Sequence, residues 1–478
     1  MGSLRFTVER PKMVRTVRRR PDPRFLGVLL LCSGGALAQA PAPPLDRAVM
    51  ARRVRDEMLH AWGGYERYAW GHDELRPVSR TPRDWYAQPL LMTPVDALDT
   101  LVLMGLTEEA DKARRLIVEH LSFDRDFEVK SFEITIRLLG GLLSAHQLTG
   151  DPALLRLADD LGGRLLPTFD TPTGMPFMYV NLKTGKTREP RSNPAEIGTL
   201  VLEFGTLSRL TGKTVYFDRA KRALVELSRR RSAIGLVGEE IDVRTGRWLS
   251  RTSHVGGGID SYYEYLLKCG LLFGDAECRA AWLDGKRAID AYLADDLGGA
   301  LWYGEADMDT GKRTATRFGA LHAFLPGVLA LSGDVPRARR LQDSCFEMWT
   351  RNGIEPDLYD YAKRRVVDAA YPLRPEIVES AFVLYRTTHD PKYLEMGRRF
   401  FEDLIARSRV DAGYTVLDSV TTMKKGDLMP SYFLAETLKY LYLLFAPDET
   451  LDLDGVVFNT EAHPLRRAAP AAAAPNAH

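Results

Sequence analysis

Residues 131–166 read SFEITIRLLGGLLSAHQLTGDPALLRLADDLGGRLL, and this stretch decides the fold. Phe132, Ile136, Leu139 and Leu143 fall at steps of four, three and four, which is one face of a helix. Gly150 suits the left-handed position that ends a helix, while Asp151 and Pro152 suit the N-cap and first position of the next one, from Ala153 onward. The stretch therefore predicts a helical hairpin.

The same stop recurs at Gly150-Asp151, Gly212-Lys213, Gly274-Asp275, Gly333-Asp334 and His389-Asp390, with steps of 62, 62, 59 and 56 from residue 151 to residue 390. Two looser matches, Met104-Gly105-Leu106-Thr107 and Ala446-Pro447-Asp448, extend the series to seven units. A period this long marks an array of helix pairs. Between units, Tyr179–Leu182 before Thr184-Gly185, Ile241–Val243 before Thr245-Gly246, and Met308-Asp309 before Thr310-Gly311 read as β-hairpins. Seven hairpins form either an open superhelix or a closed toroid. First helices rich in apolar residues and glycine, as in Leu138-Leu139-Gly140-Gly141-Leu142-Leu143, favour an inner ring and closure. The expected fold is all-α, a toroid of seven helical hairpins with short β-hairpins at one end.

In a toroid the first helices run parallel, so their N-termini gather at one mouth. Acidic residues stand near those N-termini: Asp96 and Asp99, Glu133, Glu196, Asp260 with Glu264, Glu376 with Glu379, and Glu436. A lone carboxylate in a first turn is ordinary helix capping. The pairs are different, because like charges at i,i+3 or i,i+4 repel by a few tenths of a kcal/mol. Their clustering calls for nearby Arg, a cation, or a ligand rich in hydroxyls; Arg137 and Arg374 supply part of it. Such a ring offers a protonated carboxyl and an ionised one, the pair that glycosidic hydrolysis needs. It also suits Ca²⁺, which prefers oxygen ligands. Phe132, Tyr262, Tyr263, Tyr432 and Phe433 lie near the same ends, where aromatics can stack on sugar faces.

The repeat runs without a linker, so 478 residues are read as one large domain, residues 41–464. Net charge is +1, and no basic stripe with interleaved aromatics appears, which argues against nucleic acid. No run reaches the roughly 18 apolar residues of a membrane span. Arg15 and Arg18–Arg20, the apolar Phe25–Leu31 and Ala38-Gln39-Ala40 read as a bacterial-type signal peptide over residues 1–40, so export to the periplasm or medium is expected. Residues 465–478, rich in Ala and Pro, read as a disordered tail. Cys269, Cys278 and Cys345 remain after export. A Cys269–Cys278 bridge would cross a hairpin end, but spacing alone does not establish it. No His/Cys grouping has zinc spacing, and structural or rim roles are expected for His72, His254, His322 and His463.

Several motifs together resemble the class I α-mannosidases, glycoside hydrolase family 47: Tyr68-Ala-Trp-Gly-His-Asp-Glu-Leu75, Val95-Asp-Ala-Leu-Asp-Thr-Leu101, Phe132-Glu-Ile-Thr-Ile-Arg137, Asp260-Ser-Tyr-Tyr-Glu-Tyr265, Leu373-Arg-Pro-Glu376 and Phe458-Asn-Thr-Glu-Ala-His-Pro464. The resemblance spans residues 51–464. It implies an (α/α)7 barrel, α-1,2-mannosidase activity with inversion, and Ca²⁺ deep in the barrel. On its motifs Glu133 is the general acid, acting through a water, Glu376 the base, and Asp260 the third catalytic carboxylate and alternative acid. Thr460 is the direct Ca²⁺ ligand. Glu196, Glu264, Glu379, Glu436 and Glu461 hold waters around the ion and sugar hydroxyls, and Arg137, Arg374 and Tyr432 complete the substrate-binding set. The expected partner is an α-1,2-linked mannoside or high-mannose glycan, and the expected state a monomer.

Three positions depart from the family. Ala323 stands opposite Cys345 where eukaryotic members form a disulfide, Gly258 replaces an Arg that reaches the glycan cleft, and Tyr432 replaces a stacking Phe. The alternative function is a mannose-binding, lectin-like protein without turnover; the retained Glu133, Asp260 and Glu376 weigh against it.

Overall fold

The computed structural model describes residues 45–467. The expected signal peptide and the tail beyond residue 467 lie outside the described residues. Six of the seven hairpins form where the stops place them. Asp151 accepts a hydrogen bond from the Ala153 backbone N–H at 2.8 Å with Pro152 in the first turn, and Gly150 ends the preceding helix at φ 76°. His389 takes the same left-handed place at φ 53°.

Seven inner helical segments form a closed ring among the described residues. In order they are Met92–Leu103, Gly140–Thr149, Val201–Thr211, Asp260–Phe273, Leu325–Leu331, Glu376–Thr388 and Leu438–Phe445, and Phe433–Thr437 at the head of the last packs back against the first. Six are backed by the helix that follows in sequence: Thr107–His120, Pro152–Leu165, Val215–Ser228, Ala276–Tyr292, Val335–Asn352 and Lys392–Ser408. The seventh differs from the sequential pairing read from the repeat. Among the described residues no helix pair is completed after Ala446; the outer partner of Leu438–Phe445 is the N-terminal helix Arg47–Tyr68, which closes the barrel by joining the two ends of the domain. The inner helices are apolar nearly all round because both faces are covered: Leu138, Leu139, Leu142 and Leu143 are each at most 1% exposed. Burying each such side chain is worth about 1.5–3 kcal/mol.

A second difference lies inside the deciding stretch. The 3.6-residue spacing reads one continuous helix, yet Thr135–Leu139 forms a π-helical turn between Ser131–Ile134 and Gly140–Thr149. The Thr135 hydroxyl donates to the Ser131 carbonyl at 2.8 Å, competing for an acceptor of the helical ladder. Phe433–Thr437 is a second π turn. Both sit at the mouth end, and π turns recur at functional sites.

Small antiparallel sheets cover that end with a repeated logic. The strand entering an inner helix pairs with the hairpin that follows the same unit's outer helix: Glu128–Lys130 with Tyr179–Asn181 and Thr187–Arg188, and Arg191–Ser192 with Glu240–Asp242 and Arg247–Ser250. The hairpin at Glu305–Asp307 and Arg313–Ala315 places Met308 and Asp309 in its turn rather than in a strand.

A C-terminal hairpin, Val456–Phe458 with Pro464–Arg466, packs against Gly140–Thr149 and Asp260–Phe273. Its second strand carries ordered structure beyond the domain end read at residue 464, because Leu465 is fully buried. Gly140 and Gly141 make room for it: a Cβ on Gly140 would lie 2.6 Å from Asn459 Nδ2, and one on Gly141 3.2 Å from His463. Cys269 and Cys278 are joined as a disulfide and Cys345 is free and buried. Among the described residues no helix is long and apolar enough to cross a membrane.

Candidate functional site

The parallel inner helices deliver their first turns to one cavity of about 330 Å³. Glu376 and Asp260 are the first residues of their helices, and Glu133 and Glu196 are third in theirs. All twelve residues expected at the site line this cavity: Glu133, Arg137, Glu196, Asp260, Glu264, Arg374, Glu376, Glu379, Tyr432, Glu436, Thr460 and Glu461. Asp96 and Asp99 do not. They lie below it, fully buried, in the framework that holds the C-terminal hairpin.

That framework is ionic. His463 bonds Asp99 through Nδ1 at 2.7 Å and Asp96 through Nε2 at 3.3 Å, and Lys439 reaches Asp99 at 2.7 Å. Burial alone would lower the His463 imidazolium, but Asp99 and Asp96 hold it up to about 9. Burial would raise Asp99, yet Lys439 and His463 bring it to about 2. The turn between the strands is pinned by Asn459, whose side-chain oxygen accepts the backbone N–H groups of Glu461 and His463 at 2.9 and 2.8 Å. Its amide nitrogen donates to the Ile136 carbonyl and to Glu203. Thr460, at the tip, donates its backbone N–H to Tyr265 Oη at 3.2 Å.

Cations thread the acidic ring. Arg137 donates Nε and Nη2 to Oε2 of Glu133 at 3.1 and 3.0 Å and also bonds Glu461. Lys268, almost fully buried, bonds Glu264 and lies 3.6 Å from Glu379, so it joins the two i-spaced acid pairs from different repeats. Lys130 lies 2.6 Å from Glu196 and 3.8 Å from Glu133. Arg374 lines the cavity, but its ion pair is with Asp357 at 3.3 Å rather than with Glu376. Sequence reasoning found Arg137 and missed Lys130, Lys268, Lys439 and Asn193, whose side chain caps the helix at the Glu196 N–H. Lys268 had a signal, four residues after Glu264 on one helix face.

Even so, the carboxyls are crowded. Burial, with Glu379 and Asp260 nearby, pushes Glu376 up to about 8 against the pull of Arg374. Burial and Glu264 push Asp260 up to about 7, and burial does the same to Glu196 despite Lys130. Oε2 of Glu376 and Oε2 of Glu196 are buried without a hydrogen-bond partner. An all-oxygen donor set with orphaned carboxylate oxygens fits a hard divalent cation such as Ca²⁺.

Of the candidate stacking aromatics, Phe132 and Tyr432 line the cavity, whereas Tyr262, Tyr263 and Phe433 are fully buried core side chains. Tyr432 is fixed by a 2.6 Å bond from its hydroxyl to the Pro372 carbonyl. His254 and His322 accept the backbone N–H groups of Gly256 and Gly319, and His72 pairs with Asp84 at 2.9 Å.

The model of Glycosyl hydrolase family 47 matches residues 57–467. The chain is similar to the ER degradation-enhancing alpha-mannosidase-like protein 2 of Mus musculus, with 39% identity over 459 residues, 89% of this chain and 79% of the relative. It is also similar to the endoplasmic reticulum mannosyl-oligosaccharide 1,2-alpha-mannosidase of Rattus norvegicus, with 39% identity over 469 residues, 89% of this chain and 69% of the relative. Among solved structures, the alpha-1,2-mannosidase from Trichoderma reesei superposes with a TM-score of 0.82 at 28% identity, covering 88% of this chain and 99% of that one.

Proposed function

Because the chain belongs to Glycosyl hydrolase family 47, we propose that it removes terminal α-1,2-linked mannose from mannosides or high-mannose glycans, with inversion and with Ca²⁺ in the pocket. The observation that carries the reading is the convergence of all twelve expected residues on one cavity. The names of the rat and Trichoderma reesei relatives support the choice of linkage. Export and a monomeric state belong to the same proposal.

Inverting hydrolysis needs a proton donor to the leaving oxygen and a base that activates water on the opposite face of the ring. Glu376 is the base; it lines the cavity, and its Oε2 has no hydrogen-bond partner within the protein. Glu133 is the acid. Arg137 occupies its Oε2, which leaves Oε1 as the oxygen through which a proton would pass to the leaving group by way of a water. Asp260, raised to about 7 by burial and Glu264, is the alternative donor. Thr460 would hold Ca²⁺ directly, through its carbonyl and hydroxyl, and Glu196, Glu264, Glu379, Glu436 and Glu461 would hold its waters. When bound, the ion supplies positive charge to the crowded ring and a template for vicinal sugar hydroxyls. Tyr432 and Phe132 bound the sugar's faces. The retained base disfavours a purely lectin-like role.

The test is release of mannose from α-1,2-mannobiose with and without a chelator. Turnover that stops on chelation and returns with Ca²⁺ is expected; sugar binding without turnover would sink the enzyme reading.

A further inference from the structure

Lys130 has no part in the proposed chemistry, yet its ammonium lines the cavity between acids of two adjacent repeats. It ends the strand Glu128–Lys130, immediately before the helix that carries Glu133. Its backbone is fixed on two sides. Lys130 pairs with Tyr179 across the sheet, and its N–H donates to Tyr86 Oη at 3.2 Å. The side chain then reaches Oε1 of Glu196 at 2.6 Å and passes 3.8 Å from Oε1 of Glu133, with Phe132 beside it at 5.9 Å from the ring centroid.

The consequence falls on Glu196. Asn193 fixes its backbone N–H at 3.0 Å, and Lys130 takes one carboxylate oxygen. The other oxygen is buried and unpartnered, on a side chain that lines the cavity. A buried acceptor with a free lone pair is costly unless a ligand donor completes it, and a sugar hydroxyl is such a donor. Without the ammonium, the Glu196 side chain loses the partner that orients it and, being buried, its reason to stay charged.

Resting on the mannosidase reading of this pocket, we propose that Lys130 is a positioning residue for sugar recognition: by clamping one oxygen of Glu196 it presents the other to a hydroxyl of the terminal mannose. Lys130→Met removes the clamp while keeping the apolar stem; Lys130→Arg keeps a cation. For α-1,2-mannobiose, Lys130→Met is expected to raise KM about tenfold, the loss of one charge-assisted hydrogen bond, with kcat changed less than threefold. Lys130→Arg is expected to restore KM to within about threefold of the parent. Calorimetric titration with free mannose, at saturating Ca²⁺, gives a second readout that needs no turnover, and Lys130→Met is expected to weaken binding by a similar factor. Unchanged KM and mannose affinity in a folded Lys130→Met variant would overturn the role. A fall in kcat alone would overturn it too, since that places Lys130 in the chemical step. A parent chain that binds mannose but does not hydrolyse the disaccharide overturns the hydrolase reading while the affinity comparison still decides Lys130. A parent that does neither overturns both.

Discussion

Gly140→Ala is the substitution whose sign the structure decides against ordinary helix propensity. Alanine in a helix interior is favoured over glycine by about 1 kcal/mol. At Gly140 the new methyl would lie 2.6 Å from Asn459 Nδ2 and 3.1 Å from His463 Cδ2, both side chains fully buried. Neither can yield freely. Asn459 Nδ2 holds the Ile136 carbonyl at 2.9 Å and Glu203 at 2.8 Å, and His463 is held between Asp96 and Asp99. Overpacking costs about 1–3 kcal/mol, and stretching a buried hydrogen bond adds about 1–3 more, so the propensity gain is outweighed by roughly 1–5 kcal/mol. Gly63→Ala is the internal control. Gly63 sits in the helix Arg47–Tyr68, and a methyl there would meet nothing within 4 Å, so the alanine should stabilise by up to about 1 kcal/mol. Differential scanning calorimetry of the two variants beside the parent should show opposite shifts. Because Asn459 adjoins Thr460, Gly140→Ala should also weaken Ca²⁺ binding. A Gly140→Ala protein that melts at or above the parent would refute the tight seat assigned to the C-terminal hairpin.

Other outcomes follow from the same contacts. Glu376→Gln should keep mannose affinity while turnover falls at least about a hundredfold; near-parental turnover would remove Glu376 from the base role. Lys268→Met leaves Glu264 and Glu379 buried without their shared cation, a loss of about 3–5 kcal/mol visible as a lower melting temperature. His463 has its folded pKa raised from 6.5 to about 9, so its contribution is fully present below pH 6.5 and is lost as pH rises through 9. The difference is worth about 3 kcal/mol at 1.36 kcal/mol per pKa unit. Between pH 7.5 and 9.5 the melting temperature of His463→Gln should therefore fall less steeply than that of the parent, and equal slopes would contradict the imidazolium assignment.

The parts of the fold that depend on local chemistry were readable from the chain. Gly150-Asp151-Pro152 announces a helix end and a helix start within three residues, and five such stops set the repeat. The acids at first turns were readable for the same reason, since parallel inner helices carry their N-termini to one mouth. What escaped depends on contacts between distant residues. The outer partner of Leu438–Phe445 comes from residues 47–68, almost 400 positions away, so no local period could indicate it. Lys130 and Lys439 look like ordinary surface lysines until the ring brings Glu196 and Asp99 beside them, and Lys268, whose spacing to Glu264 is local, meets Glu379 only through the ring. The π turns at Thr135–Leu139 and Phe433–Thr437 hide within apolar runs whose spacing is compatible with an α-helix. Tyr262 and Tyr263 follow Asp260 by two and three residues, but they are fully buried in the wall while Asp260 lines the cavity.

The most direct measurement is proton NMR of α-1,2-mannobiose during its first minutes with the Ca²⁺-loaded protein, before the released sugar mutarotates. The expected result is β-mannose as the first product, with Glu376 activating water opposite the bond that Glu133 or Asp260 protonates. Release of α-mannose first, or no release at all, would contradict inverting hydrolysis by this ring of carboxylates.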